Sequence, residues 1–196
     1  MDNAKIENVL LGEAVIRNAA PQSTANTTGF DEHFEQAQST ISRLETLQNY
    51  GNSGEDPALA AFLAGQPHLI TPAKREWTAL VRERRAAGCV MQRVHVVTEP
   101  ITDYLRFELT WGYQPNVDAG EDIRIVPVPM GQQWPPELPE RTDFWLFDFS
   151  VLYALRYHQN GAWLVTEEVT DPARHRASVR LARGRAATRA AVATLP

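Results

Sequence analysis

One stretch of the sequence gathers side chains that could do chemistry: RVHVVTEPITDYLRFEL, from Arg93 to Leu109. His95 and Glu99 in this stretch, and Asp148 further along the chain, are residue types that act as general acids and bases when burial and neighbouring charges tune their pKa values. These three are the candidates for a catalytic role. The same polar residues could instead bind a ligand, or they could form a buried ion-pair cluster that fixes the fold. The sequence alone leaves these three interpretations open.

A polar pocket at the ends of the strands is the binding interpretation. Glu99 follows an apolar, strand-like run, and strand carboxyl ends are where open α/β sheets place functional groups. Asp148 interrupts the run DFWLFDFS, where alternation predicts that it faces the same side as Phe144 and Leu146. A carboxylate buried there has to be paired or neutral, because burying it unpaired is costly. The predicted ligand-binding side chains are Glu99, Asp103, Tyr104, Arg106, Arg124 and Asp148.

Several kinds of site lack a motif in this sequence. No pair of its histidines has the i, i+4 spacing of a helical metal site, and no Cys-x-x-Cys accompanies them. We therefore expect no metal site and no cofactor. The Gly-x-Gly-x-x-Gly and P-loop signatures of nucleotide binding are missing, as is the Gly-x-Ser-x-Gly elbow of serine hydrolases. Trp134, in the proline-rich loop GQQWPPELPE, is the one tryptophan that could touch a ligand or partner.

Capping residues and glycines divide the first half of the chain into elements that would position these side chains. EDPALAAFLAGQP has the pattern of a short helix, with Asp56 as N-cap and Gly65 as its stop. TPAKREWTALVRERRAAG repeats that pattern with Thr71 and Gly88. Before them, a helical start gives way to strand-like residues at 41–47.

Strand patterns dominate the second half of the chain. Residues 90–97 alternate as a strand, residues 101–109 return to helical spacing, and Asn160-Gly161 between two β-rich segments is a strong hairpin signal. The predicted order is helices first and then β-α-β-β-β-α, which is an α+β or α/β layered domain. We expect residues 1–29 to form an N-terminal extension and linker, and residues 30–196 to form a single domain.

Composition is that of a soluble cytoplasmic protein. The 196 residues are 43% apolar and 22% charged, which is enough for one core. The one cysteine, Cys89, suits a reducing compartment and a small buried position. No apolar run approaches the roughly 20 residues that span a bilayer, and the start of the chain lacks the basic region of a signal peptide. We expect no membrane association.

Positive charge is concentrated at the end of the chain. The net charge is −5, but six arginines and no acidic residue follow from Pro172 onward. Such a tail could bind nucleic acid. It could equally be a helix packed against the acidic body of the protein, and we favour that interpretation. The six are Arg174, Arg176, Arg180, Arg183, Arg185 and Arg189.

Four phrases of the sequence resemble one family. SRLETLQNYG, RVHVVTEPITDYLRFEL, NVDAGEDIRIVPV and DFWLFDFSVLYALRYHQNGAW are similar to domain of unknown function 6879, a family frequent in high-GC Gram-positive bacteria, over about Phe30 to Leu195. The family often sits beside small helix-turn-helix regulators, so the resemblance implies a regulatory or partner-binding role by association, and it assigns no catalytic residue. The polar residues that match its motifs are Arg43, Glu45, Glu99, Asp103, Tyr104, Arg106, Glu121, Asp122, Arg124, Asp143 and Asp148.

The order of elements also resembles one half of a phospholipase D-like domain. Those enzymes use the motif His-x-Lys-x(4)-Asp, whose histidine is the nucleophile. No lysine stands two positions after any histidine in this chain. The resemblance therefore implies the topology without that phosphodiester chemistry.

The leading hypothesis is a cytoplasmic, non-enzymatic ligand- or partner-binding module of a regulatory system, with the polar pocket as its site. The alternative is a small-metabolite enzyme of a specialised biosynthetic pathway that uses carboxylate or histidine acid–base chemistry. The third is nucleic-acid binding through the arginine-rich C-terminal helix. The expected partner is a small molecule or a protein, and the apolar segment at the start of the chain could support a homodimer.

Overall fold

The computed structural model describes residues 27–51, 53–136 and 138–184. Residues 1–26 of the expected extension, and Arg185 and Arg189 of the basic tail, lie outside the described residues. No helix in the described part is long and apolar enough to cross a bilayer. The elements are α1 (Thr27–Gln36), β1 (Thr40–Glu45), α2 (Asp56–Leu63), α3 (Pro72–Ala86), β2 (Val90–Thr98), α4 (Asp103–Phe107), a π-helical turn (Glu108–Gly112), α5 (Tyr113–Ala119), β3 (Asp122–Val128), β4 (Phe144–Phe147), β5 (Val151–Tyr157), β6 (Trp163–Glu168) and α6 (Pro172–Arg183).

A six-stranded mixed sheet forms the centre of the fold, in the order β3-β2-β1-β4-β5-β6. β1, β2 and β3 are parallel to one another. β4, β5 and β6 each run antiparallel to the strand before them in that order. The predicted α+β class is confirmed, and the phospholipase D-like topology stays a prediction.

Helices pack on both faces of the sheet. On one face, Phe34 of α1 and Trp77 of α3 join strand residues such as Ile41 in an apolar core. On the other face, Leu181 of α6 packs with Leu44 and its neighbours. Successive residues of a strand alternate between these two faces, which we call the α3 face and the α6 face.

The amino ends of α2 and α3 differ in their capping residues. Thr71 is the N-cap of α3, as predicted, and its side chain accepts a hydrogen bond from the Lys74 N–H at 3.1 Å. Asp56 was predicted to cap α2, and that prediction is wrong. The cap position belongs to Glu55, because the Asp56 carboxylate turns back to accept from the N–H and the hydroxyl of Ser53 at 3.1 and 3.2 Å.

The strand β1 occupies the middle of the sheet, between β2 and β4. The strand character predicted for residues 41–47 is confirmed, but the predicted order β-α-β-β-β-α has four strands where the sheet has six, and β1 is one of the two that it left out. Its polar residues explain the omission. Ser42, Arg43 and Glu45 are all buried, whereas central parallel strands usually carry nearly continuous apolar runs.

The β5–β6 hairpin contains the predicted Asn160-Gly161 turn. Gly161 has a φ of 81°, in the left-handed region that glycine adopts without strain. A Cβ at this position would lie 2.5 Å from the Asn49 carbonyl oxygen and 2.8 Å from the Gly51 nitrogen. The turn therefore packs tightly against the loop that follows β1.

Gly161→Ala is expected to lower the free energy of unfolding by about 3 kcal/mol or more, because it combines backbone strain with a clash against backbone atoms. Gly131→Ala is the matched control. Gly131 has a φ of 80°, but nothing lies within 4 Å of its Cβ position, so only strain of about 1 kcal/mol applies. Urea denaturation measures the free energy of unfolding of both variants. Equal decreases would show that the turn does not pack tightly against the loop.

Candidate functional site

The residues predicted to line one pocket lie apart in the structure. Glu99 is exposed just after β2, where its carboxylate accepts a backbone N–H of the β3–β4 loop at 3.1 Å. Asp103 and Arg106 form an ion pair on the outer surface of α4, with both side chains 63% exposed. Tyr104 is buried, and its hydroxyl donates to Glu108 at 2.8 Å.

Arg124 and Asp148 are separated from these residues and from each other. Arg124 is on the α6 face, where its guanidinium donates to the Gly184 carbonyl oxygen at 2.7 Å. Asp148 follows the end of β4, at the amino end of β1, so the alternation predicted along that strand does not extend to it. Partial burial raises the pKa of Asp148, but hydrogen bonds from the backbone N–H groups of residues 38–40 outweigh this effect and lower the pKa to about 2. The structure does not bring the six predicted side chains into one site.

Other polar residues meet in the core of the α3 face. Glu45 accepts from Arg43 Nη2 at 2.9 Å and from Arg93 Nη1 at 3.1 Å, and its second oxygen lies 2.9 Å from the Tyr113 hydroxyl. The register of the parallel strands places Arg43 beside Arg93, and Glu45 beside His95. These five side chains are at most 6% exposed. They form the centre of a buried polar cluster.

The contacts continue from the strands into the helices. Arg93 Nε donates to one oxygen of Glu121 at 2.9 Å. The other oxygen accepts from Asn116 Nδ2 at 2.9 Å and from Trp77 Nε1 at 3.2 Å. Asn116 in turn accepts from Lys74 Nζ at 3.1 Å, so α3 and α5 are both tied to the sheet by polar contacts.

Lys74 extends the cluster to the amino end of α2 and to the π-helical turn. Its Nζ lies 3.0 Å from a Glu55 carboxylate oxygen and donates to the Gly112 carbonyl at 3.0 Å. A Cβ on Gly112 would overlap the carboxylate of Glu108, so a larger residue here would force that carboxylate to move. We call the whole set the buried polar network: Arg43, Glu45, Glu55, Lys74, Trp77, Arg93, His95, Tyr104, Glu108, Tyr113, Asn116 and Glu121.

Both ring nitrogens of His95 are engaged inside this network. Nε2 lies 2.8 Å from the Leu47 carbonyl oxygen, which can only accept, so Nε2 carries the proton. Burial lowers the pKa of His95 more than the charge of Glu45 raises it, which keeps the ring neutral. Nδ1 lies 2.5 Å from the Tyr113 hydroxyl, whose one proton can be donated either to Nδ1 or to Glu45. In the described part of the chain, no three His, Cys, Asp or Glu side chains are placed to hold a metal.

A second carboxyl cluster closes the carboxyl end of β1. Asp143 accepts from the hydroxyls of Tyr50 at 2.5 Å and Tyr157 at 3.0 Å, and from the N–H and hydroxyl of Thr46, both at 2.7 Å. Burial raises the pKa of Asp143. The Tyr50 ring, from the loop after β1, lies 6.2 Å from the His95 ring. This loop therefore covers the end of the sheet where open α/β folds usually place a site.

Two carboxyl groups of the network have pKa values shifted in opposite directions. Burial raises the pKa of Glu45, but the charges of Arg43 and Arg93 outweigh this effect and lower the pKa to about 2. Burial first, and the charge of Glu55 second, raise the pKa of Glu108 well above its usual value. The difference follows from their partners, because Glu45 faces two guanidinium groups while Glu108 accepts from a tyrosine hydroxyl. Donors and acceptors that bind each other in this way favour the ion-pair-cluster interpretation.

The sequence analysis did not select this network as a site, although the spacing of its residues in the sequence indicates it. Arg43 and Glu45 in β1, and Arg93 and His95 in β2, are each two residues apart. Period-2 spacing puts both pairs on one face of neighbouring strands. A pair of polar residues repeated on two apolar strands thus predicts a buried polar layer.

An open cavity of about 260 Å³ lies on the α6 face, between α6, the proline-rich loop and strands β4 and β5. We call it the α6 cleft. Its volume is just below the roughly 300–1,000 Å³ of small-molecule sites, so it suits one side chain or one small fragment. Most of its lining is apolar, chiefly Leu138, Phe144, Leu152, Val169, Ala173 and Ala177.

Polar groups stand at the rim of the α6 cleft. Arg174 Nε and a Glu140 carboxylate oxygen are 4.0 Å apart. Trp134 braces the loop that forms one wall, since its Nε1 donates to the Pro139 carbonyl at 2.8 Å and the Arg141 guanidinium lies 5.0 Å from its ring centre. The cleft therefore combines an apolar interior with charged groups at the entrance.

The sequence profile of domain of unknown function 6879 matches residues 28–193. This span includes every residue of the buried polar network and all of α6, and it confirms the resemblance expected from the four sequence phrases. No curated protein matches the chain.

Glu45→Gln is expected to lower the free energy of unfolding by about 3–5 kcal/mol, because it removes the buried carboxylate with which both Arg43 and Arg93 pair. The matched control is Asp103→Asn, which removes one partner of an ion pair that is 63% exposed. That change should stay within about 0.5 kcal/mol of the wild type. Urea denaturation at neutral pH compares the two variants. If Glu45→Gln lowered the free energy of unfolding no more than the control does, the network would not contribute to stability.

Glu108→Gln is expected to flatten the dependence of stability on pH above about 4.5. Burial raises the pKa of Glu108 above its ordinary 4.5, so the folded state keeps a proton that the unfolded chain loses. The stability that neutral Glu108 contributes is complete below that pH and falls as the pH rises through the folded pKa. The amide cannot ionise, so the variant lacks this part of the fall.

Urea denaturation over a series of pH values measures the effect. Glu83→Gln, at an exposed position of α3, is the matched control and should keep the wild-type slope. A Glu108→Gln variant with the wild-type slope would mean that Glu108 carries no extra proton in the folded state.

Proposed function

The chain belongs to the family of domain of unknown function 6879, and on that premise we propose that it is a non-enzymatic binding module of a cytoplasmic regulatory system. The α6 cleft is its binding site, and the ligand places an apolar group there. The observation that carries the proposal is a cavity walled by aliphatic side chains with Arg174 and Glu140 at its rim. Apolar walls with a few polar groups are the usual composition of a ligand site.

The contacts of the three catalytic candidates support binding over catalysis. The ring nitrogens of His95 are both held by protein groups, at 2.5 and 2.8 Å. Glu99 and Asp148 accept backbone N–H groups at opposite ends of the sheet. A general base has to come within hydrogen-bond reach of its substrate, and these contacts give each candidate a structural role instead.

Cys89 supports the cytoplasmic location. Its side chain is 3% exposed, and burial raises the pKa of its thiol. A thiol of this kind packs as a small apolar group and reacts poorly, since the thiolate is the reactive form. A free, buried cysteine suits a reducing compartment.

Methyl NMR of the full chain tests the binding site, with a library of small aromatic and aliphatic carboxylates as probes. Chemical-shift changes are expected at the methyl groups of Leu138, Leu152 and Val169, which line the cleft. Ala177→Phe should fill the cleft and weaken the best probe by about tenfold or more. Ala60→Phe, at an exposed position of α2, is the matched control and should leave the binding unchanged.

Two results would contradict this proposal. Shift changes confined to Val97 and Leu105, in the core of the α3 face, would place the ligand at the buried polar network. Conversion of a probe into a product, followed through its own NMR signals, would identify an enzyme.

A further inference from the structure

We infer that the α6 cleft takes an acidic segment of a protein partner, which inserts one apolar side chain into the cleft and places its carboxylates on the exposed arginines of α6. This inference rests on the proposed function, since it concerns the same site. It adds the class and the charge of the occupant.

Three arginines form a stripe along α6: Arg176, Arg180 and Arg183. Their spacing of four and three residues puts them on one side of the helix, over about 10 Å at 1.5 Å per residue. All three are exposed, and α6 itself holds no acidic residue. Within the described ranges, no carboxylate lies at ion-pair distance from these three guanidinium groups. Carboxylates of a partner would therefore not have to displace a described acidic residue from the stripe.

Apolar packing and an N-cap hold α6 in place. Leu181 and Ala182 are buried against the sheet. Asp171 caps the amino end of α6 by accepting from the N–H groups of Ala173 and Arg174. The packed helix expected from the basic tail is present, but its three stripe arginines stay exposed to solvent and are available for a ligand.

The stripe borders the cleft. Arg176 and Arg180 each follow a cleft-lining alanine by three residues, Ala173 and Ala177, and residues three apart are neighbours on a helix surface. Arg183 lies at the far end, with its guanidinium 4.6 Å from the ring centre of Phe149. A ligand anchored in the cleft would thus carry its adjacent acidic groups directly onto the arginines.

A protein segment fits this surface better than a nucleic acid does. Six of the 19 Lys and Arg residues lie from Arg174 onward, which leaves 13 against 24 acidic residues elsewhere, a net charge of −11. A nucleic acid would extend its phosphates well past a stripe of about 10 Å and meet that acidic remainder. Single strands also bind by stacking on aromatic side chains, whereas the cleft is lined mainly by aliphatic ones.

Phage-displayed random peptides, selected on the immobilised full chain and counter-selected on the Ala177→Phe variant, are the probe. Enriched peptides are expected to share one large apolar residue with Asp or Glu close to it. For the best peptide, Arg180→Glu should weaken binding by about tenfold or more, and the loss should be larger at low salt. Arg82→Glu, at an exposed position of α3, is the matched control and should leave the affinity within about twofold.

A random pool of single-stranded DNA is the second probe. Enriched peptides without acidic residues, no enrichment at all, or affinity indifferent to Arg180→Glu would each overturn the inference. DNA that binds more tightly than any peptide, and that is weakened by Arg180→Glu but not by Ala177→Phe, would identify a nucleic-acid surface instead. If small carboxylates still shift the cleft methyl groups while no acidic peptide binds, the binding module survives and only the acidic partner is wrong.

Discussion

The α3 side of this fold depends on one glutamate that lies between two buried arginines and pairs with both. Arg43 and Arg93 lie side by side on neighbouring parallel strands, and Glu45 contacts them at 2.9 and 3.1 Å. A guanidinium group stays charged at every pH that a protein meets, so the two side chains can be buried together only with a carboxylate between them. Burial raises the pKa of Glu45, but the positive charges of the two arginines lower it to about 2.

The same charges constrain how β1 pairs in the sheet. A slip of one residue would move Arg43 and Glu45 to the α6 face, where Leu44 now packs in an apolar core. Buried charges without partners cost several kcal/mol, so the slipped pairing is disfavoured. On the α3 face the second arginine also donates to Glu121 at 2.9 Å, which ties the start of β3 to the same layer. The three parallel strands therefore share one set of polar contacts.

A structural feature could be predicted from the sequence when the residues that determine it are close together along the chain. Thr71 as a cap and Asn160-Gly161 as a hairpin turn follow from a few neighbouring residues, and both are confirmed. The polar layer has a local signal in each strand, but the contacts of the network do not, because Glu45 and Arg93 are 48 positions apart and meet only through strand order. Glu99 drew attention because it follows a buried strand, yet it lies past the strand end at the surface. Glu45 and Glu99 are the same residue type, and only their burial shows that the first belongs to the network and the second does not.

The two faces of the sheet are nevertheless connected through β2. Arg93 faces the network, while the adjacent Gln92 faces α6 and donates to the Ala182 carbonyl at 3.1 Å. Arg124 of β3 donates to Gln92 at 3.0 Å and to the Gly184 carbonyl at 2.7 Å, so the end of α6 is fixed to two parallel strands. The loop after β1 covers the carboxyl ends of β1 and β2, whereas the α6 cleft on the other side of the sheet is open. A partner bound there would rest on a helix whose position depends on the strands that the buried charges hold together.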